Sequence, residues 1–148
     1  MNEPAITPNR EMFDELGQVM KGLQKAEVPV THIQTPGLYI RQVEIKAGTK
    51  ILSARHKTEH PFVISKGKIL VVTEEGRREV LEAPHTGITF PGTRRALTAL
   101  QDTIWTTFHP TAETEIEKIT ESLVEHETDQ DLLQWQESTP KLNEPCHL

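Results

Sequence analysis

One cysteine, Cys146, is all the thiol chemistry in 148 residues, so no intrachain disulfide frames the fold. Long apolar runs are missing as well. None approaches the roughly 18 residues a membrane span needs. The first stretch, MNEPAITPNREMFDEL, has neither the basic start nor the apolar core of a signal peptide. Positive charge is scarce: 16 Lys and Arg against 22 Asp and Glu leave a formal net charge of −6 and a pI of about 5.6. That balance opposes broad, charge-driven binding to nucleic acid. Nucleophilic catalysis also lacks a frame, because Ser53 and Ser65 sit in no nucleophile elbow and the glycines read as turn glycines rather than a phosphate cradle. The expectation is a cytoplasmic protein with no membrane and no nucleic-acid partner.

What is present suits one soluble domain: 35% hydrophobic and 26% charged residues in a chain too short for a second large core. Three regions differ in texture. Residues 1–27 carry Phe13, Leu16, Met20 and Leu23 at spacings of three, four and three, an amphipathic helix stripe with Asn9 as N-cap. Gly17 and Gly22 each weaken that helix by about 1 kcal/mol. Residues 28–111 break into short β-type runs such as GLYIRQVEI, PFVISKG, KILVVTEEG and TIWTTFH. Turn pairs such as Pro36-Gly37, Lys66-Gly67, Glu75-Gly76 and Pro91-Gly92 punctuate them. Strands this short and this regular indicate an antiparallel sandwich or small barrel. Residues 112–148 are acidic. There Ile116, Ile119 and Leu123 form a second helical stripe, followed by a tail with Leu132, Leu133 and Trp135.

The stretch GTKILSARHKTEHPFVISKG carries the most specific signal. Gly48 is followed after five residues by Ala54-Arg55-His56, then after three more by His60, and after six more by Gly67. This spacing resembles the first cupin motif, in which His-x-His and Glu stand where Ala54, His56 and His60 stand here. FPGTRRAL is similar to the second cupin motif, with Gly92 in place and Arg95 where the motif has His. The run from GLYIRQVEIKAGT to WTTFHPT, roughly residues 28–111, resembles small cupin-like proteins of bacteriophages. The resemblance implies an all-β, cupin-like double-stranded β-helix, a jelly-roll barrel flanked by an N-terminal helix and a C-terminal helix or tail. It assigns no reaction, because cupins host isomerases, oxygenases, storage proteins and regulators alike.

Strand parity then selects candidate residues. His56 and His60 are four apart, so on one continuous strand they share a face, the interior of a cupin-like barrel. His109 ends TIWTTFH, which the resemblance assigns to the same barrel. Three neutral imidazoles there suit a divalent transition metal, Zn²⁺, Fe²⁺, Ni²⁺ or Mn²⁺, with Cu²⁺ also at home on imidazole. Glu44, Glu74 and Glu79 are candidate fourth ligands, and Glu59 points the wrong way. Against this, Ala54 and Arg95 replace two ligands of the resembled family, as in a cupin that has lost its metal. Arg95 suits a carboxylate or phosphate, gripped in a bidentate pair. Trp105 shares the face of His109 and walls a pocket or the core, while Tyr39 and Arg41 alternate together toward the same cavity. His32 and His85 read as surface or capping residues, and Arg77-Arg78 as a solvated hairpin end.

Two functions follow. One is a metal-binding small cupin, with His56, His60 and His109 on the ion and Arg95 on a small anionic molecule. The other is a non-catalytic, metal-free cupin acting as a ligand-binding, structural or interaction module of a phage, working in the host cytoplasm. Apolar stripes on both terminal segments fit a homodimer.

Overall fold

The computed structural model describes residues 10–23 and 26–125. The N-cap Asn9, the tail residues Leu132, Leu133 and Trp135, and His126, Cys146 and His147 lie outside them. The described part begins with α1 (Arg10–Lys21) and continues as β1 (Val30–Thr35), β2 (Leu38–Ile45), β3 (Lys50–Leu52), β4 (Arg55–His56) and β5 (His60–Lys66). Next come β6 (Lys68–Thr73), β7 (Arg78–Glu82), β8 (His85–Thr89), β9 (Arg95–Ala99) and β10 (Thr103–Pro110). The chain then forms α2 (Ile116–Leu123) and the two-residue strand β11 (Val124–Glu125).

Three antiparallel sheets result: β1-β2-β10-β5-β8, β3-β9-β6-β7 and the small β11-β4 pair. The inner faces of the two large sheets meet in one core. It contains Val30, Val43, Ile45, Phe62, Ile64, Ile69, Val71 and Trp105, all nearly closed to solvent. Every strand that contributes does so on alternate residues, the period of two seen in the sequence. Gly67 turns β5 into β6 at φ 93°, where a Cβ would fall on the Asp102 carbonyl oxygen and 2.6 Å from Thr103 Oγ1. Glycine is required there on both counts.

Two expectations about the flanks change. The N-terminal helix buries Phe13 and Gly17, whereas Leu16 and Leu23 of the expected stripe stay 38% and 61% exposed. Gly17 is the reason. Its missing side chain lets the helix press on β3, where a Cβ would already lie 3.3 Å from Leu52 Cδ2. The buried Arg94 guanidinium anchors the same helix, donating to Asp14 Oδ1 at 2.8 Å and to the Ser53 carbonyl at 3.1 Å. At the other end, Ile119 and Leu123 are buried as expected, and Ile116 remains exposed. The expected strands include neither β1 nor β11. β1 exists because it pairs over its whole length with β2, Val30 with Val43 through Thr35 with Leu38.

Candidate functional site

Inward parity on four strands of the barrel brings the candidate residues together. Tyr39 and Arg41 project from β2, His60 and Phe62 from β5, Trp105 and His109 from β10, and Arg95 from β9. Register places His109 opposite Tyr39, Trp105 opposite Val43, and Thr107 opposite both Arg41 and Phe62. His56, on β4, completes the group.

The rings form a continuous chain. His56 and His60 lie 5.1 Å apart between centroids, His60 and His109 4.3 Å, and His109 and Tyr39 5.7 Å. Tyr39 stacks in turn on His32 at 5.8 Å, and the Tyr39 hydroxyl lies 2.6 Å from His32 Nδ1. His32, half-buried, therefore backs Tyr39 while still lining an open surface pocket with Gln34 and Ile116. His85 also differs from expectation. It opens β8 on the inward face and packs on Phe62 with ring centroids 5.9 Å apart.

Hydrogen bonding defines what each histidine has to spare. His60 Nδ1 donates to the Thr58 carbonyl at 3.0 Å, which leaves Nε2 as a bare lone pair. His109 Nε2 is 2.7 Å from Thr107 Oγ1. Among the described residues, three buried ring nitrogens lack a hydrogen-bond partner: His56 Nδ1, His60 Nε2 and His109 Nδ1. Burial also holds the rings neutral. It pushes His109 down to about 3, with the His60 ring and Arg41 adding to the effect. His56 is lowered well below the usual histidine value by burial and then by His60, Arg95, His109 and Arg41. His60 is lowered by burial and Arg95, against its bond to Thr58.

Arg95 lies over the aromatic pair Phe62 and Trp105. Its guanidinium carbon lies 5.4 Å from the Phe62 ring centroid and 5.8 Å from that of Trp105, and Nη1 donates to Thr89 Oγ1 at 3.0 Å. Phe62 and Trp105 stack at 4.6 Å with planes 15° apart, so Trp105 serves as a core aromatic under Arg95. Burial lowers Arg95 from its ordinary value, and Glu79 and Glu75 partly restore it. Arg41 is pushed down to about 10, chiefly by burial. The candidate carboxylates are elsewhere. Glu44 is exposed, Glu79 pairs with Arg77 at 3.0 Å, and Glu74 closes a buried ion pair with Arg55, one arm at 3.0 Å.

Backbone bonds join the two sequence motifs. His56 N–H donates to the Thr93 carbonyl at 2.9 Å, and Gly92 N–H donates to the His56 carbonyl at 2.8 Å. No known family model matches the chain, and no curated protein matches it. Among solved structures, a cupin superfamily protein from Desulfitobacterium hafniense DCB-2 is similar with a TM-score of 0.50 and 9% identity, covering 60% of this chain and 81% of that one. The fold is a cupin barrel. A cupin domain from Bordetella pertussis Tohama I is similar at a TM-score of 0.49 and 15% identity, over 62% of this chain and 100% of that one.

Within the cupin barrel, the motif substitutions acquire a physical setting. Ala54 packs against a cluster of Tyr39, Ile119, Leu123 and Val124, so α2 and β11 occupy space beside the histidines. Val124 pairs with His56, and Leu123 accepts from Lys57 N–H at 2.7 Å. The His60 ring touches both His56 and His109, but among the described residues no group of three or more His, Cys, Asp or Glu is drawn together to hold an ion. No described helix is long and apolar enough to cross a membrane.

Proposed function

We propose that this cupin-fold protein binds a small anionic molecule inside its barrel, beside a divalent transition metal held by His56, His60 and His109. The observation that carries the proposal is the set of three unpartnered ring nitrogens, each buried and each on a ring held neutral. A buried nitrogen lone pair without a partner costs roughly 1–3 kcal/mol, and a Lewis acid would relieve that cost if it drew the three rings together. His60 carries the bond such ligands commonly make behind the metal, its second nitrogen donating to a backbone carbonyl. A metal so held would supply Lewis-acid or oxygen-activating chemistry. Zn²⁺, Fe²⁺, Ni²⁺ and Mn²⁺ are the ions to be tried. Arg95 would grip the carboxylate or phosphate of the ligand, with the Phe62–Trp105 stack beneath it.

A second reading rests on a separate observation. Arg95 and Arg41 both lower His56, so two guanidinium groups lie close to the histidines. Two guanidinium groups repel a dication unless an anion lies between them. On that reading the barrel is a metal-free anion binder. The resemblance to phage proteins supports a ligand-binding or interaction role in the host cytoplasm.

Elemental analysis of untagged protein, prepared without chelator, separates the two. Near one equivalent of metal per chain in the wild type, lost in a folded His56→Ala variant, is the expected result. Metal far below one equivalent, with no uptake of added Zn²⁺, Fe²⁺, Ni²⁺ or Mn²⁺, would sink the metal reading and leave anion binding through Arg95.

A further inference from the structure

We propose that α2 and β11 form a strap that shuts one end of the barrel over the histidines, and that its release from β4 admits a small molecule. The inference rests on the reading that the barrel interior takes a ligand, and it needs no metal. Ile119, Leu123 and Val124 of the strap are buried. They pack on Tyr39 and Ala54 as a cluster of their own, apart from the main core between the sheets. Tyr39 is therefore the floor under the strap. The His109 ring stacks on it at 5.7 Å, and the His60 ring lies 4.3 Å from His109. Lifting the strap bares Tyr39 and, next to it, the histidines.

The ladder that holds the strap is short. Val124 and Glu125 pair with His56 and Arg55 as a two-residue sheet of their own, against the eight residues of β10 in the main sheet. Lys57 adds two bonds, its N–H to the Leu123 carbonyl at 2.7 Å and its Nζ to the Glu121 carbonyl at 3.1 Å. Arg55 Nε lies 3.6 Å from the half-exposed Glu125 carboxylate. The helix is too short to hold itself. Its eight residues fall below the roughly 12–15 that an isolated helix needs. Its last turn carries Glu121 and no base, against the helix dipole. Packing on Tyr39 and Ala54 sustains it, so α2 and β11 leave together as one unit of low local stability.

An open pocket already lies at the other end of the strap. Thr114, Glu115, Ile116 and Glu117 line it together with His32 and Gln34 of β1, and Gln34 Nε2 donates to the Thr114 carbonyl at 3.1 Å. Tyr39 stands between His32, in the pocket wall, and the His109 ring. Release of the strap, which packs on Tyr39, joins that pocket to the histidines.

Thiol labelling of the full chain tests this without any ligand. Cys146→Ser removes the single native cysteine. On that background Val124→Cys places a thiol under the strap and Val71→Cys one in the main core, both at buried positions. Val124→Cys is expected to react with iodoacetamide at least about 100-fold faster than Val71→Cys, at a rate that dilute urea hardly changes, because local opening exposes little surface. Glu125→Lys sets a like charge beside Arg55 and should speed Val124→Cys about 3-fold, leaving Val71→Cys alone. In chelator, reaction of His109 with diethyl pyrocarbonate, read by peptide mass spectrometry, should speed up by the same factor. Hydrogen exchange of the wild type covers the case of a cysteine variant that does not fold: amides of residues 119–125 should exchange well before those of β5. A strap that opens no more readily than the main core overturns the proposal. So does a Glu125→Lys chain in which Val124→Cys labels faster and His109 does not react faster.

Discussion

Replacing Gly87 with alanine isolates one contact that shapes the interior. Gly87 lies on β8 opposite Phe62, and a Cβ there would sit 2.6 Å from Phe62 Cζ and 2.7 Å from Cε1. The ring has nowhere to retreat, because Trp105 stacks on it at 4.6 Å and Arg95 lies over it. Overpacking of this kind costs about 1–3 kcal/mol. Gly87 does not adopt positive φ, so alanine is conformationally acceptable and its restriction of the unfolded chain returns about 0.4–1 kcal/mol. The net expectation is a loss of about 1–2 kcal/mol. With a urea m-value of about 1–3 kcal/mol/M, the unfolding midpoint falls by roughly 0.3–2 M. A double-mutant cycle sharpens the test: once Phe62→Leu has removed the ring, Gly87→Ala should be neutral or stabilising. Equal destabilisation in both backgrounds, or none in either, would refute the steric account and with it the tight packing ascribed to the Phe62–Trp105 wall.

Acid should weaken the fold through the buried histidines. His109 and His32 are pushed down to about 3 and about 4, each chiefly by burial, while the unfolded chain titrates near 6.5. Between those values the unfolded state binds more protons, so their contribution is complete above about pH 7 and is lost as pH falls below 6.5. For the nearly fully buried His109 the loss at pH 5 is about 2 kcal/mol. Urea midpoints at about pH 7.5 and about pH 5 in chelator measure it, and identical midpoints would contradict the assignment. The Arg55–Glu74 pair gives a separate prediction, its side chains being only 13% and 8% exposed. Arg55→Met strands the Glu74 carboxylate and should cost about 3–5 kcal/mol, most of it recovered when Glu74→Gln is added. A double variant no more stable than the single would show that Arg55 acts through other contacts, such as its bond to the Gly92 carbonyl at 3.2 Å.

Much of the barrel was legible because its signals are local. Alternation in TIWTTFH puts Trp105 and His109 on one face within a single strand, and the structure keeps them there. Gly48, Gly67 and Gly92 take positive φ at turns, as their placement between apolar runs implies. His56 and His60 meet by a different route from the one continuous strand their spacing suggested, since β4 and β5 are separate strands in different sheets. The helix stripe was less reliable. Counting apolar residues favours Leu16, whereas the packed face is set by Gly17, whose lack of a side chain has no hydrophobic signature.

Partnership between distant strands is a different kind of information. Nothing near His32 indicates Tyr39 as its neighbour until β1 folds back on β2. Nothing in the acidic segment 112–125 shows that Val124 will pair with His56 or that Ile119 and Leu123 will close over Ala54. The sequence by itself determined the period of two, the turns, the motif spacing and therefore the barrel. Only the tertiary structure decided that Phe62 lies between Gly87 and Trp105, that Arg55 meets Glu74, and that the His60 ring touches both His56 and His109. The physical reason is range. Backbone conformation and side-chain parity are set within a few residues, whereas a contact between strands depends on which apolar faces, of all those available, bury each other best.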